Sequence, residues 1–212
     1  MWKIIQFKNA KPYHKFNPSY EYEIYEGQIN VEGLANTILE IEKAILDETE
    51  KSRAYDGDTG LGKDSLTSRF AQFNLFQIEE TKFLGEIVKN EVQLYTKDNS
   101  ILYGQCWANV MRKGEAIGTH SHAIGMHAYL SGNIAVQTIE TSTYYLTPYF
   151  EEIYESKNED GKITLFPSWV KHYTDAALND IERITIGFDL VNSEGYEKGI
   201  NDMKKDHWEK LQ

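Results

Sequence analysis

The stretch "GTHSHAIGMHAYLSG", residues 118–132, carries His120, His122 and His127, half of the chain's six histidines. Imidazole is the commonest metal ligand and the usual acid–base group near neutral pH. One residue separates His120 from His122, so in extended chain both side chains project to the same face. Two imidazoles from one strand end can then share a metal ion. A third ligand must come from elsewhere, and His172, which closes "LFPSWVKH", is the candidate; the plainer alternative is that it caps a turn. His127 competes with His122 if the chain turns at "AIG", although strand parity favours His122.

A second group of residues suits an anion. In "ERITIGF", Arg183 and Thr185 share one face of a strand, while Ile184, Ile186 and Phe188 share the other. A guanidinium inside an apolar strand is costly without an anionic partner. A bound carboxylate, gripped by a bidentate fork and one hydroxyl, would supply that partner. The alternative is an edge strand with Arg183 in water beside Glu182. Trp107 and Asn109 share a strand face, and Trp107 is at home in a core. Tyr129 shares parity with His127, although tyrosine is commonplace in strands. Trp169 is expected to pack under the turn that positions His172, and His14 and His207 to lie on the surface.

These side chains need elements to position them. From Val31 to Ser52, Leu34, Ile38, Ile41 and Ile45 recur at helical spacing on one face. A second helix is expected over Glu79–Tyr95, with Leu84, Val88, Val92 and Tyr95 in its stripe. Both stripes read as core packing. "YDGDTGLGKDS", residues 55–65, has the composition of a loop. After Asn99 the pattern changes to alternation: Gln105, Trp107 and Asn109 oppose Cys106, Ala108 and Val110. "MHAYLSGNIAVQTI", "GKITLFP" and "ERITIGFDLV" alternate too. Short strands separated by turns indicate a sandwich or barrel, here with two helices packed against it. "EEIYESKNED", residues 151–160, reads as a solvated loop, or a lid, near the barrel mouth.

Composition narrows the function classes. The 212 residues are 41% hydrophobic and 13% aromatic, so one sizeable core is expected and disorder is not. The net charge of −11 disfavours a nucleic-acid partner, because acidic surfaces repel phosphate. Cys106 is the only cysteine, which excludes an intrachain disulfide and a cysteine-built zinc site. No stretch is long and apolar enough for a bilayer span, nor the N-terminus for a signal peptide. A soluble, reducing compartment fits.

The order of these pieces is more specific than any one of them. His120-Ser-His122, then Leu130-Ser131-Gly132, then Gly161 to His172 as "GKITLFPSWVKH", then Arg183-Ile-Thr185 resembles the 2-oxoglutarate- and Fe(II)-dependent oxygenases over residues 103–191. It is similar in particular to a branch found in bacteria and phages that reads H-x-H, L-S-G, G-x-I-x-L-F-P-S-W-x-x-H and R-x-T. The resemblance implies a mainly β fold with flanking helices, built on a double-stranded β-helix (jelly-roll, cupin-like) core. It implies one oxygenase domain: N-terminal strands and helices to about 98, the core over about 99–192, and a helical tail over about 193–212. It also implies a cytoplasmic enzyme that binds Fe(II), 2-oxoglutarate and O2, and couples decarboxylation of 2-oxoglutarate to succinate and CO2 with oxidation of a C–H bond. His120, His122 and His172 would hold the metal, and Arg183 and Thr185 the distal carboxylate, with Asn109, Trp107 and Tyr129 nearby.

One departure stands out. The superfamily usually supplies His-x-Asp or His-x-Glu, whereas His122 occupies that position here and no acidic residue occurs between Thr119 and Gln137. Three neutral ligands offset none of the metal's charge. All three must also be deprotonated to bind, so iron affinity is expected to weaken from about pH 7.5 to about 5.5. Two other function classes compete: a cupin-type metalloenzyme that does not use 2-oxoglutarate, and a non-enzymatic jelly-roll binding module. Arg183 with Thr185 argues against the first, and three converging histidines against the second. The substrate, whether a small molecule or a peptidyl group, and the oligomeric state are not written in these motifs.

Overall fold

The computed structural model describes residues 2–9, 16, 19–122, 127, 129–148 and 152–211. In chain order the elements are β1 (Lys3–Lys8), β2 (Glu21–Gln28), α1 (Leu34–Glu48), α2 (Leu84–Thr96), β3 (Leu102–Met111), β4 (Leu130–Gln137), β5 (Ser142–Leu146), β6 (Ile153–Lys157), β7 (Lys162–Phe166), β8 (Lys171–Thr174), β9 (Arg183–Asn192), α3 (Ser193–Gly199) and β10 (Glu209–Lys210). Seven strands form one sheet in the order β1-β2-β7-β4-β9-β3-β10, and three form a second in the order β6-β5-β8. Every strand pair is antiparallel. The fold is the jelly roll that the motif order implied.

Side-chain parity divides the large sheet into two faces. Cys106, Ala108 and Val110 of β3 and Ile184, Ile186, Phe188 and Leu190 of β9 join Leu34, Ile38, Ile45, Leu84, Val88 and Val92 in one apolar cluster. The helices therefore cover this face with the stripes read from the sequence. On the opposite face the small sheet docks through Tyr145, which packs among Tyr22, Ile24, Phe166 and Val170. Between that docking point and the open end lie Gln105, Trp107, Asn109, Arg183, Thr185 and Asp189, the other parity of β3 and β9. Alternation in these strands thus sends apolar groups to the helices and polar groups to a cavity.

Both helices are shorter than their periodicity predicts. α1 stops at Glu48 because Thr49 turns extended and its hydroxyl donates to Ile45 O at 2.6 Å. α2 begins only at Leu84, since Thr81 Oγ1 donates to Leu75 O at 2.7 Å and holds the preceding residues in turns. The core also draws on more of the chain than residues 99–192. β1 and β2 extend the large sheet at one edge, and β10 pairs with Tyr103 and Gly104 at the other. The tail beyond 193 is consequently not all helix, and its last strand covers an edge that β3 would otherwise expose.

The acidic stretch 151–160 is likewise not simply a loop. β6 runs through it, with Tyr154 and Ser156 turned inward to donate to Glu26 at 2.9 and 2.5 Å. Its one acidic residue, Glu155, occupies the outward parity, and the others of the stretch lie outside the strand, which is why composition alone suggested solvent. His207 also departs from expectation, being partly buried under the turn before β10, with its Nε2 lacking a partner among the described residues. His14 lies outside the described residues. Among them, no helix is long and apolar enough to cross a membrane.

Candidate metal and cosubstrate site

His120 enters the site through a single antiparallel bridge to His172. The two residues exchange both backbone hydrogen bonds, at 3.0 and 2.9 Å, so their side chains stand side by side. The His122 amide donates to Ser168 O at 2.9 Å, which fixes the next turn of the same segment. Thus the "FPSWVKH" stretch holds both residues of His-x-His by backbone contacts. The glycine-rich loop braces them from the other side, with Gly118 N donating to Thr59 O at 2.7 Å.

The three imidazoles each offer one nitrogen, and these nitrogens lie within 4.8 Å of one another. Nδ1 of His120 lies 2.9 Å from Gly118 O, and Nδ1 of His172 lies 3.1 Å from Val170 O. A carbonyl only accepts, so Nδ1 carries the proton in both rings and Nε2 carries the lone pair. Nδ1 of His122 lies 3.0 Å from Asp189 Oδ1, which selects the same tautomer. Nε2 of His120 and Nε2 of His122 then face each other at 3.2 Å. Two lone pairs at that distance repel unless a cation stands between them. Burial, reinforced by the neighbouring imidazoles, pushes the His120 pKa down to about 4 and that of His172 well below the ordinary value. Converging and pre-oriented, this donor set fits Fe(II).

His127 is not part of the cluster. Its ring packs against Gly199 of α3, where a Cβ on the glycine would come within 2.2 Å of it. His122, and not His127, shares the cluster with His120 and His172 among the described residues.

Deeper in the same cavity of about 460 Å³ lies Arg183. It is 3% exposed, and its Nε and Nη2 find no hydrogen-bond partner among the described residues. Nη1 makes only a long contact to Asp175 O at 3.4 Å. Burial without a full ion pair pulls the guanidinium pKa down to about 10. A buried cation with two free donors is a receptor for an anion. Thr185 lies on the same face, and its hydroxyl accepts from Asn109 Nδ2 at 3.3 Å, while Asn109 Oδ1 accepts from Thr67 at 2.8 Å. Trp107 forms a wall, its ring 5.3 Å from that of His122. These residues fit the distal carboxylate of 2-oxoglutarate in charge and in donor count.

Tyr129 is not on this wall. It precedes β4, where strand parity does not yet hold, and packs against the helix-side cluster. Trp169 lies half exposed with an edge on Tyr22, 4.9 Å between ring centroids, so it braces the turn before His172 from outside.

Sequence reasoning passed over several groups. Tyr55, Asp56, Gly57, Asp58 and Thr59 line the mouth, with Phe70 and Lys171. Asp189 is the more telling omission: it shares parity with Arg183 and Thr185, so a second charge in an apolar strand was available as a signal.

A family described as "Putative 2OG-Fe(II) oxygenase" matches residues 105–189 of the chain. Over those residues the chain matches the 2-oxoglutarate/Fe(II)-dependent oxygenases. Fe(II) and 2-oxoglutarate are the cofactors that this family's description names. The chain's fold is similar to that of several solved structures. The epimerase SnoN in complex with Fe3+, α-ketoglutarate and nogalamycin RO is 11% identical, with a TM-score of 0.56 over 80% of this chain and 79% of that one. A Pseudomonas putida prolyl-4-hydroxylase is 10% identical, with a TM-score of 0.55 over 80% and 92%. A Trichoplax adhaerens prolyl hydroxylase, in complex with a hypoxia inducible factor peptide fragment, is 11% identical, with a TM-score of 0.51 over 83% and 87%. No curated protein matches the chain.

Proposed function

We propose that the chain is a 2-oxoglutarate- and Fe(II)-dependent oxygenase, a hydroxylase acting as one domain, in which His120, His122 and His172 hold Fe(II) through Nε2. Arg183 and Thr185 grip the distal carboxylate of 2-oxoglutarate. The observation that carries this reading is the meeting, in one cavity, of three imidazole lone pairs with a buried guanidinium that has two free donors. When bound, the metal and cosubstrate supply activation of O2, coupling decarboxylation of 2-oxoglutarate to succinate and CO2 with oxidation of a substrate C–H bond. The protein's part is positioning. Arg183 and Thr185 fix one end of the cosubstrate, Asn109 keeps the Thr185 hydroxyl aligned, and Trp107 closes the wall over His122 and excludes water.

The mouth is left for the substrate. The loop 55–59, Phe70 and Lys171 surround it with aromatic, acidic and basic groups, which suits a small molecule or a peptidyl side chain. A net charge of −11 disfavours nucleic acid. A buried free thiol at Cys106 suits the reducing cytoplasm. A screen of candidate small molecules and peptides, scored by succinate release above the substrate-free background, tests the hydroxylase reading. A product carrying one added oxygen atom is expected. Stimulated succinate release with a cyclised, epimerised or desaturated product would overturn it.

A further inference from the structure

The His-x-His motif leaves the metal without a carboxylate ligand, yet a carboxylate touches the site from outside. Asp189, in β9, is 3% exposed. Its Oδ1 lies 3.0 Å from His122 Nδ1 and accepts from Ser131 Oγ at 2.6 Å. Its Oδ2 accepts from Gln105 Nε2 at 2.8 Å. An amide nitrogen can only donate, and three converging donors are the environment of an ionised carboxylate. Ser131 also lies 2.8 Å from Ser168 Oγ, and the Ser168 carbonyl holds the His122 amide at 2.9 Å. The serines of "LSG" and "FPSW", to which the sequence assigns no chemistry, thus belong to one network that clamps His122 at its backbone and at its ring.

Each of the three histidines has an acceptor on Nδ1, but the other two are backbone carbonyls of Gly118 and Val170. Only the acceptor on His122 bears charge. A carboxylate on Nδ1–H raises the electron density at Nε2 and strengthens it as a donor.

Resting on the proposed three-histidine ligand set, we propose that Asp189 is its positioning and charge-compensating residue. It replaces, through His122 and from outside the coordination sphere, the carboxylate that the ligand motif lacks. The predicted dependence is therefore of metal affinity on the charge at position 189, and not only of shape on the side chain there.

The test is an anaerobic calorimetric titration of the full chain with Fe(II), comparing wild type, Asp189→Asn and Ser131→Ala. Asparagine keeps the size and one acceptor oxygen but loses the charge. Iron affinity should fall roughly ten- to a hundredfold in Asp189→Asn, the range for loss of a partner behind a metal-bound histidine. Ser131→Ala keeps the charge and should lose less. A readout that simple misfolding would not produce is the visible metal-to-cosubstrate charge-transfer band of the Fe(II)–2-oxoglutarate protein. A less electron-rich iron should shift that band to shorter wavelength in Asp189→Asn. Iron affinity within about twofold of wild type, or an unmoved band, overturns the proposal. Should Asp189→Asn fail to fold, Ser131→Ala must still weaken iron binding and move the band in the same direction, and no change there overturns the proposal. If wild type itself binds no Fe(II), the three-histidine reading falls and takes this inference with it. Wild-type binding with an unaffected Asp189→Asn removes the inference alone.

Discussion

Replacing Arg183 with leucine removes a cation that the folded chain carries at a cost. The guanidinium is 3% exposed, two of its nitrogens are unpaired among the described residues, and burial holds its pKa down to about 10, below the ordinary guanidinium value. At about 1.4 kcal/mol per pKa unit, that depression corresponds to a penalty of about 3 kcal/mol for keeping the charge buried. Leucine relieves the penalty, so the metal-free variant should melt at or above the wild-type temperature. Cosubstrate binding should move the other way. A charge-assisted contact contributes about 1.5–3 kcal/mol, so the affinity for 2-oxoglutarate should fall roughly ten- to a hundredfold. Iron binding alone should change little, because Arg183 is proposed to hold the far end of the cosubstrate rather than the metal. Anaerobic titration of the Fe(II) protein with 2-oxoglutarate, following the charge-transfer band, gives the midpoint, and thermal melts of the metal-free protein give the stability. An unchanged midpoint would show that the carboxylate anchor lies elsewhere. A metal-free variant destabilised by several kcal/mol would refute the claim that Arg183 stands uncompensated.

Alanine at His120, His122 or His172 should each abolish or strongly weaken Fe(II) binding by calorimetry, whereas His127→Ala should leave it intact. Equal loss in His127→Ala would return that residue to the site. The metal-free protein should also be acid-sensitive. His120 has a pKa of about 4 in the fold and about 6.5 unfolded, so the unfolded state takes up the proton first and stability falls as pH drops through that interval. The loss from His120 alone is on the order of 3 kcal/mol by pH 4, with more from His172, whose pKa lies well below the ordinary value. Denaturant midpoints that stay flat from about pH 6.5 to about 4 would contradict this. The same depression moves the proton competition of His120 with iron toward pH 4, and that of His172 also lies below the ordinary histidine range. Finally, Gly132→Ala should destabilise the protein by about 1–3 kcal/mol, because a Cβ there would sit 2.3 Å from Phe188 and 2.6 Å from Thr164 O. Chemical denaturation measures it, and a neutral effect would mean that β4 and β7 can separate at no cost.

Much of the site was legible because it obeys strand parity, a local rule. His120 beside His122, Arg183 beside Thr185, and Trp107 beside Asn109 each follow from a two-residue period that sequence displays directly. The helical stripes were legible for the same reason, although the ends of α1 and α2 were not. There Thr49 and Thr81 redirect the chain by hydrogen bonds that composition does not advertise. Parity failed at Tyr129, which precedes its strand, and burial of the inward side of β6 could not be inferred without its partner Glu26. What only the tertiary structure decided is which distant residues meet. Nothing in the order of the motifs says that Asp189 reaches His122, that two motif serines join it, or that β10 returns from the C-terminal end to pair with β3. Local sequence sets which way a side chain points along its own strand. Strand pairing, a long-range choice, sets what it points at.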